Sequence, residues 1–438
     1  MSDTHAQTTP FVRETMVPQA PPPAGQTGAV RWLRQNLFST WLNTILTIAG
    51  LVAIFFLLRG LVPWLAHSVW NANSLSECRQ IIADRWGPDA TGACWAVVRD
   101  RWTQWLFGFY PRELYWRPVL ALALMFVAAA PVLFPALPRR LLVLSLLYPF
   151  VGFWLLWGGS IWTPVGGLVG FVIWYGVWTA LASRAPFIGV VLGFLLAVFW
   201  WLFLGHDVMR LISDTVPYGI QSVRSDRFGG FVLSLTIGVA AIAMSLPMGI
   251  ALALGRQSDM FLIKTLCVGF IEFIRGVPLI TLLFTASLLL NYFLPPGTSF
   301  DIILRVIIMV TLFAAAYIAE VIRGGLAALP RGQYEAGDAL GLNYFQAQRL
   351  IILPQALKIS IPGIVSTFIG LFKDTTLVIF VGLLDPLKGI TDAVRASFDW
   401  KGIYWEPYIF VGSIFFLFCF GMSRYSMYLE RRLKRDHR

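Results

Sequence analysis

Long apolar segments separated by short polar ones dominate the pattern along the chain. Six of these segments carry no charged side chain and cover residues 41–58, 118–138, 141–183, 185–206, 228–255 and 276–300. Three further apolar segments, at about 302–322, 360–384 and 405–427, have a charge inside or beside them. A membrane-spanning helix needs about 20 mostly apolar residues, so segment 141–183 is long enough for two spans. The pattern predicts an all-α integral membrane protein with about ten transmembrane helices.

The composition agrees with a membrane protein. Of the 438 residues, 57% are hydrophobic and 13% are charged, whereas a soluble domain has about 25% charged residues. The net charge is +11, but no block of Lys and Arg resembles a nucleic-acid-binding patch. Five of the last eight residues are basic, which is typical of a cytoplasmic tail that faces anionic lipid. We therefore expect no nucleic-acid partner.

The basic residues of the short loops predict the orientation of the chain. Arg139 and Arg140 lie in one link and Arg184 in the next but one, whereas the link between them holds no Lys or Arg. With ten spans, both termini then lie on the basic, cytoplasmic side. The predicted organisation is a disordered cytoplasmic lead (1–40), an N-terminal extension of about five transmembrane helices (41–227), a five-helix core (228–428) and a basic cytoplasmic tail (429–438).

The loop 64–117 is then external, and it contains two of the four cysteines, Cys78 and Cys94. Its Trp, Tyr and Phe residues predict a compact cap, and a folded spacer without its own activity is the simpler interpretation. No C-x-x-C motif or His partner is near, so zinc is not predicted. Outside an inner membrane the environment is oxidising, which favours a Cys78–Cys94 disulfide.

One polar segment, EAGDALGLNYFQAQRLIILPQAL at 335–357, interrupts the apolar second half within an insertion at about 323–358. Pro330 suits a helix start, and negative charge at Glu335 and Asp338 is favourable in a first turn. Gly337 and Gly341 are four apart, which predicts one face that another backbone can approach. After a break at residues 342–343, a second helix is predicted to run to Pro354. A docking element and a hairpin lying on lipid fit these features equally well.

The same segment resembles the cytoplasmic loop E-A-A-x3-G-x9-I-x-L-P of bacterial ABC importer permeases. The matching residues are Glu335, Ala336, Gly341, Ile351, Leu353 and Pro354, and Gly337 replaces the second Ala. GFIEFIRGVPL, AYIAEVIRGGL, PRGQYEAG and LFKDTTLV resemble the polar amino-acid permease family of ABC importers over about residues 228–428. The extension and its cysteine-bearing loop are similar to the enlarged permeases of general L-amino-acid and glutamate/glutamine/aspartate/asparagine importers.

The resemblance implies a type I importer core in a non-catalytic permease that carries L-amino acids, polar or acidic, across the bacterial inner membrane. It also implies three partners, which are a second permease in a heterodimer, an ABC ATPase dimer and a periplasmic amino-acid-binding protein. The residues implied to couple to the ATPase are Glu335, Ala336, Gly337, Asp338, Gly341, Leu353 and Pro354. Glycine at 337 would soften this helix by up to about 1 kcal/mol.

No catalytic or metal site is predicted from the sequence. The chain has no G-x4-G-K-[ST] phosphate-binding loop and its four His residues are dispersed. We expect no cofactor on this chain, with ATP and Mg²⁺ bound by the partner ATPase. The alternative is a secondary transporter driven by an ion gradient, which predicts two similar halves, but the polar segment occurs once.

Charged and hydroxyl residues within the spans supply the remaining candidates. Intramembrane charge is costly and usually faces a cavity or a partner. The candidate substrate path comprises Lys373, Asp374, Thr375, Thr376, Ser366 and Thr367. The structural alternatives for the two charges are an ion pair to a neighbouring span or to the partner permease, or a lysine that snorkels to the membrane surface. Spacing of three predicts helix-end ion pairs for Glu272 with Arg275 and Glu320 with Arg323. Gly276 and Pro278 would loosen a span.

Overall fold

The structure is a computed structural model that describes residues 28–289 and 301–435. Within these residues, nine helices are long and apolar enough to cross a membrane, and a bent pair of helices makes a tenth. The prediction of an all-α membrane protein with about ten spans is confirmed. The described residues form two compact units, 28–69 with 79–93 and 70–78 with 94–289 and 301–435.

The N-terminal part contains helices α1 to α9. Their bounds are Gly28–Asn36, Trp41–Ala66, Leu75–Trp86, Ala96–Phe107, Trp116–Leu133, Leu142–Trp157, Trp162–Leu181, Pro186–Phe199 and Gly205–Thr215. Helices α8 and α9 are joined by a π-helical segment, Trp200–Leu204, so the three pieces make one long span. Two short antiparallel strands, Gly159–Ser160 and Gly219–Ile220, pair at one end of this group.

Helix α1 falls within the segment that was predicted as a disordered lead. Residues 1–27 lie outside the described part of the chain, but α1 is a helix that falls within the range 1–40. Its sequence GAVRWLRQN alternates apolar and polar positions at helical spacing, which favours an amphipathic helix. The polar, Pro-rich composition on which the prediction rests ends before this segment.

The core contains helices α10 to α18. Their bounds are Gly230–Arg256, Phe261–Gly276, Leu279–Phe284, Ile302–Ala327, Gly332–Ala339, Tyr344–Ala347, Leu353–Asp374, Pro386–Ala396 and Trp405–Arg435. Helix α13 is the most buried span and packs against α10, α11 and α16. Its Ile303, Ile318 and Ile322 side chains are fully buried. Helix α18 continues through the basic residues that were predicted as a tail, and residues 436–438 are not described.

The span predicted at 276–300 begins at the junction of two helices, α11 and α12, which pass as one span only together. Helix α11 carries the first part of the span, and the chain bends by 103° before α12. Pro278 disfavours a helical backbone at the preceding residue, and Val277 is indeed extended, with φ −106° and ψ 133°. Because α11 contains charged residues, it does not stand out as a charge-free segment in the sequence. Residues 290–300, the end of the predicted span, are outside the described part.

The loop 64–117 is folded and includes α3 and α4. Cys78 and Cys94 form a disulfide with their Cα atoms 6.0 Å apart, the pairing that the sequence favoured. Helix α4 packs against α10, α17 and α18. The Cys94 N–H donates to the Glu406 carboxylate at 2.7 Å, and Trp400 Nε1 donates to Asp100 at 2.9 Å. These bonds attach residues 94–107 to the core.

Candidate functional site

The polar segment between α13 and α16 forms a short helix, a tight turn and a second helix. Helix α14 begins after Pro330, whose carbonyl accepts from the Gln333 N–H at 3.1 Å. Four residues, 328–331, lie between the end of α13 and the start of α14. The segment is therefore joined by a short connection to the most buried span of the core.

The turn after α14 corrects the predicted glycine face. Gly341 has φ +70° and lies beyond the end of α14. The Leu342 N–H donates to the Gly337 carbonyl at 3.2 Å, and the Gly341 N–H to the Asp338 carbonyl at 2.9 Å. This pair of bonds is a Schellman motif, which ends a helix with a left-handed glycine. Gly337 and Gly341 therefore do not share a helix face.

A capping box starts the second helix of the segment. The Gln346 N–H donates to the Asn343 side chain at 2.9 Å, and the Asn343 N–H donates to the Gln346 side chain at 3.1 Å. Helix α15 then continues through a π-helical segment, Gln348–Ile352, into α16. The predicted end of the second helix at Pro354 is therefore wrong. Pro354 lies in the first turn of α16, where proline is tolerated.

Gly337 is the residue of α14 that packs against the returning helix. It is buried, whereas Glu335, Ala336 and Asp338 are exposed. A Cβ at position 337 would lie 3.5 Å from the Ala347 Cβ, which is an ordinary van der Waals distance. The alanine that the motif has at this position would therefore fit without displacement.

Three large apolar side chains are exposed at the end of the segment and form, with Glu335 and Asp338, what we call the tip surface. Leu340, Tyr344 and Phe345 are 73%, 62% and 70% exposed. Exposed apolar groups rimmed by polar residues mark interaction sites. Tyr334, by contrast, is half-buried, and burial raises the pKa of its phenol, so it is a neutral packing group.

A five-residue ion network joins the ends of α10, α11 and α13 next to this segment. The Glu320 carboxylate accepts from Arg256 at 2.6 Å and lies 3.0 Å from Arg323 and 3.6 Å from Arg275. Arg256 also contacts Glu272 at 2.9 Å. The predicted pairs, Glu272 with Arg275 at 3.9 Å and Glu320 with Arg323, are both present. What the sequence reasoning missed is Arg256, which joins the two pairs.

The candidate substrate-path charges lie where α16 changes into a 3₁₀ helix, Thr375–Val381. Lys373 is exposed on the chain surface and Asp374 is half-buried. Among the described residues, neither side chain forms an ion pair with a neighbouring span. An ion pair of Lys373 or Asp374 with a neighbouring span is therefore not seen in the described part of the chain.

The candidate hydroxyl groups are mostly occupied by their own helix. Thr375 Oγ1 donates to the Phe372 carbonyl at 2.7 Å, Thr376 Oγ1 to the Lys373 carbonyl at 2.9 Å and Thr367 Oγ1 to the Gly363 carbonyl at 2.9 Å. These oxygens retain acceptor capacity. Thr375 is fully buried, whereas Ser366 is exposed. Ser366 is the most exposed of the hydroxyl candidates.

Comparisons with known proteins bear on what such a segment does. The family described as binding-protein-dependent transport system inner membrane component matches residues 245–435. The chain is 66% identical, over the whole of both chains, to the glutamate/glutamine/aspartate/asparagine transport system permease protein BztC of Rhodobacter capsulatus. It is 37% identical to the inner membrane amino-acid ABC transporter permease protein YhdY of Escherichia coli, over 95% of this chain and 96% of that protein.

A solved structure matches part of the chain. It is described as the crystal structure of an amino acid ABC transporter with histidines, is 30% identical, and has a TM-score of 0.41. The match covers 46% of this chain and 91% of that chain. The two long relatives match nearly the whole chain, and their matches therefore include the extension.

Proposed function

The chain belongs to the family of amino-acid ABC transporter permeases, and we propose that α14 and the tip surface dock on a separate ATPase subunit. The chain is thus the permease of an ATP-driven importer, and the gradient-driven alternative is not favoured. The single observation that carries the docking proposal is the exposed tip surface on a rigid helix–turn–helix. ATP and Mg²⁺ would be bound by the partner, so this subunit would not be an enzyme.

The local hydrogen bonds support a role in transmitting force. The Schellman motif ends α14 and the capping box begins α15, so neither helix end depends on a partner for its backbone bonds. On one side four residues connect α14 to the end of α13, and on the other side α15 continues into α16. Glu335, Ala336, Asp338 and Gly341 would form the contact, and buried Gly337 would hold α14 against the returning helix. Leu353 and Pro354 would form the return to the membrane.

The proposed cargo is an amino acid, polar or acidic, such as glutamate, glutamine, aspartate or asparagine. The support is the 66% identity to a permease whose name gives these four substrates. A zwitterionic substrate needs partners of both charges, and Lys373 and Asp374 supply one of each at the end of α16. Thr375, Thr376, Ser366 and Thr367 would line the same path.

The proposed assembly contains a second, different permease, two ATPase subunits and a periplasmic amino-acid-binding protein. The proposed location is the bacterial inner membrane with both termini in the cytoplasm. Support comes from the relatives' names as permeases and inner-membrane components of transport systems. The basic residues Arg139, Arg140 and Arg184 support the orientation.

Copurification tests the docking proposal. The full chain would be co-expressed with its neighbouring genes and captured in mild detergent, as wild type and as Glu335→Lys. We expect a P-loop ATPase to copurify with the wild type. The amount of copurified ATPase should fall at least tenfold in the variant, because the variant reverses an exposed charge in the contact. Asp89→Lys, the same change at an exposed acid of the loop 64–117, is the control and should retain the ATPase.

Two results would overturn the docking proposal. If both variants retain the ATPase equally, the tip surface is not the docking site. If no ATPase associates with the wild type in several mild detergents, while the segment binds lipid vesicles, the segment is a hairpin lying on lipid.

Uptake in proteoliposomes tests the substrate path. We expect Lys373→Met to lower amino-acid uptake at least tenfold without losing the ATPase, because the substrate carboxylate loses its partner. Lys358→Met, at an exposed lysine of the same helix, is the matched control. Equal uptake by the two variants would remove Lys373 from the path.

A further inference from the structure

A cavity in the N-terminal extension has the chemistry of a ligand site. It has a volume of about 390 Å³ and lies between α7, the π-helical segment and α9. Its lining combines the charged or basic side chains of His206, Arg210 and Asp214 with hydroxyl groups such as those of Ser160 and Thr163. This combination is unusual in an apolar extension, and neither the coupling segment nor the substrate path uses it.

The π-helical segment builds one wall of the cavity. Trp200 Nε1 donates to the Gly166 carbonyl at 2.8 Å, and Trp201 Nε1 donates to the Gly167 carbonyl at 3.1 Å. A Cβ at Gly166 would lie 2.6 Å from the Met209 side chain, so glycine is needed for α9 to approach α7. π-Helical turns occur frequently at functional sites. The wall is therefore held by specific bonds, and it is not a chance gap between helices.

The polar part of the cavity lies at the level of the lipid headgroups. Residues 186–205 contain no charged side chain, and 20 residues at about 1.5 Å each match the roughly 30 Å hydrocarbon core. His206 is the first polar residue after this stretch. Trp162 and Tyr218 lie beside the same end, as expected for aromatic residues at a membrane interface.

Arg210 presents a positive charge and Asp214 a negative charge to the same cavity, which His206 also lines. They are spaced by four residues and so lie on one face of α9, and all three are exposed. Within residues 28–289 and 301–435, Arg210 and Asp214 form no ion pair with each other or with another side chain. Ser213 and Ser160 already bond each other at 3.0 Å. Two opposite charges without partners at an interface favour a ligand that carries both.

We propose that this cavity binds a zwitterion, with Arg210 and His206 on its oxyanion and Asp214 on its ammonium group. An ethanolamine phospholipid headgroup and a free amino acid share this chemistry. The surroundings favour the phospholipid, because Leu202 and Leu211, 67% and 68% exposed on the same span, offer apolar surface to its acyl chains.

Native mass spectrometry of the full chain in detergent tests this proposal. The probes are phosphatidylethanolamine, phosphatidylglycerol without an ammonium group, phosphatidylcholine without ammonium N–H donors, and free glutamate as competitor. We expect the wild type to bind phosphatidylethanolamine about tenfold more tightly than the other two lipids, since charged hydrogen bonds are the strong ones. This comparison needs no variant, so it does not depend on a substitution folding correctly.

Variants then assign the charges to residues. Asp214→Asn should weaken phosphatidylethanolamine binding about tenfold and leave phosphatidylglycerol unchanged, whereas Arg210→Gln should weaken both. The controls are Asp207→Asn, on the same helix but outside the cavity lining, and Arg184→Gln at the other end of the span. Both should change binding less than twofold.

The outcomes separate the two sources and can exclude both. Displacement of the lipid by glutamate, with glutamate binding lost in both variants, would support the zwitterion site and assign it to a soluble amino acid. Equal binding of the three lipids with no effect of either variant would overturn the proposal. Equal losses in the variants and their controls would also overturn it.

Discussion

The core and the extension bury their spans to different extents. Helix α13 of the core has 56% of its most apolar stretch buried, whereas α7 and the α8–α9 span of the extension have 17% each. Four described helices, α10, α11, α12 and α16, pack against α13, but α8 packs mainly on α7. Exposed apolar surface is stable in lipid, so low burial in the extension is compatible with a folded membrane protein. The division is not complete, because α18 of the core is also only 17% buried. The difference therefore lies in the central helix α13, which is enclosed by protein, whereas the extension spans leave most of their surface to their surroundings.

The charges follow the same division. In the core, Glu320 is shared by three arginines, and buried Asp385 caps α17 by accepting from the backbone N–H groups of Leu387 and Lys388 at 3.1 and 3.0 Å. In the extension, Arg210 and Asp214 have no such partners among the described residues. Glu320 and Asp385 thus serve internal structure, whereas Arg210 and Asp214 are available to a ligand.

The largest expected effect is on the crossing of α10 and α13. A Cβ at Gly249 would lie 2.6 Å from Ile318 Cγ2, so Gly249→Leu should destabilise the protein by about 3 kcal/mol. Thermal unfolding in detergent measures this change. Gly176→Leu in α7, where no described atom outside the local helix lies within 4 Å, should be nearly neutral. Similar losses for both variants would contradict the distinction between the regions.

The second prediction concerns the ion network of the core. Glu320→Gln removes the charge shared by Arg256, Arg275 and Arg323 and should destabilise by about 2 kcal/mol, less than for a fully buried pair. Glu272→Gln should cost under about 1 kcal/mol, because the Glu272 side chain is 54% exposed. Both are measured as shifts in melting temperature. If the two shifts are equal, Glu320 is not the centre of the network.

A third prediction concerns pH and Asp385. Burial raises the pKa of Asp385 from 3.8 to about 6, against the lowering effect of its backbone hydrogen bonds. Because the pKa is higher in the folded state, the stabilisation from protonation is complete below 3.8 and is lost as pH rises through about 6.

Lowering the pH from 7 to 5 should therefore stabilise the wild type by about 1 kcal/mol relative to Asp385→Asn. Asparagine keeps the capping oxygen and removes the titration. The measurement is the melting temperature at the two pH values, with Asp207→Asn in the extension as control. A wild-type response equal to that of Asp385→Asn would show that this carboxyl does not carry the pH dependence.

The smallest effect is expected in the exposed coupling segment. Gly337→Ala should stabilise α14 by up to about 1 kcal/mol, since its Cβ fits beside Ala347 and alanine favours helix. Gly341→Ala should destabilise by about 1 kcal/mol, because φ is +70° there. Hydrogen exchange of the α14 amides should become slower in the first variant and faster in the second. The same direction of change in both would contradict the Schellman turn.

Much of the fold could be predicted because it depends on local properties. The number of spans follows from apolar length, and the start of α14 follows from Pro330 and its acidic residues. The turn at Gly341 was misread because spacing of four indicates a shared face only while the helix continues. Proline at 278 predicts a loosened span, and the structure bends there. The pattern of charge-free segments does not include α11, because α11 contains charged residues.

By itself the sequence determined that this protein is a helical membrane permease with one polar coupling segment, because hydropathy and a local motif are properties of neighbouring residues. Only the tertiary structure decided that Arg256 of α10 joins the ion pairs of α11 and α13. It also decided that Gly337 is the buried glycine of α14, and that three residues of α9 share a cavity with α7. These contacts join residues far apart in the chain. Their geometry depends on how helices cross, which no local pattern encodes.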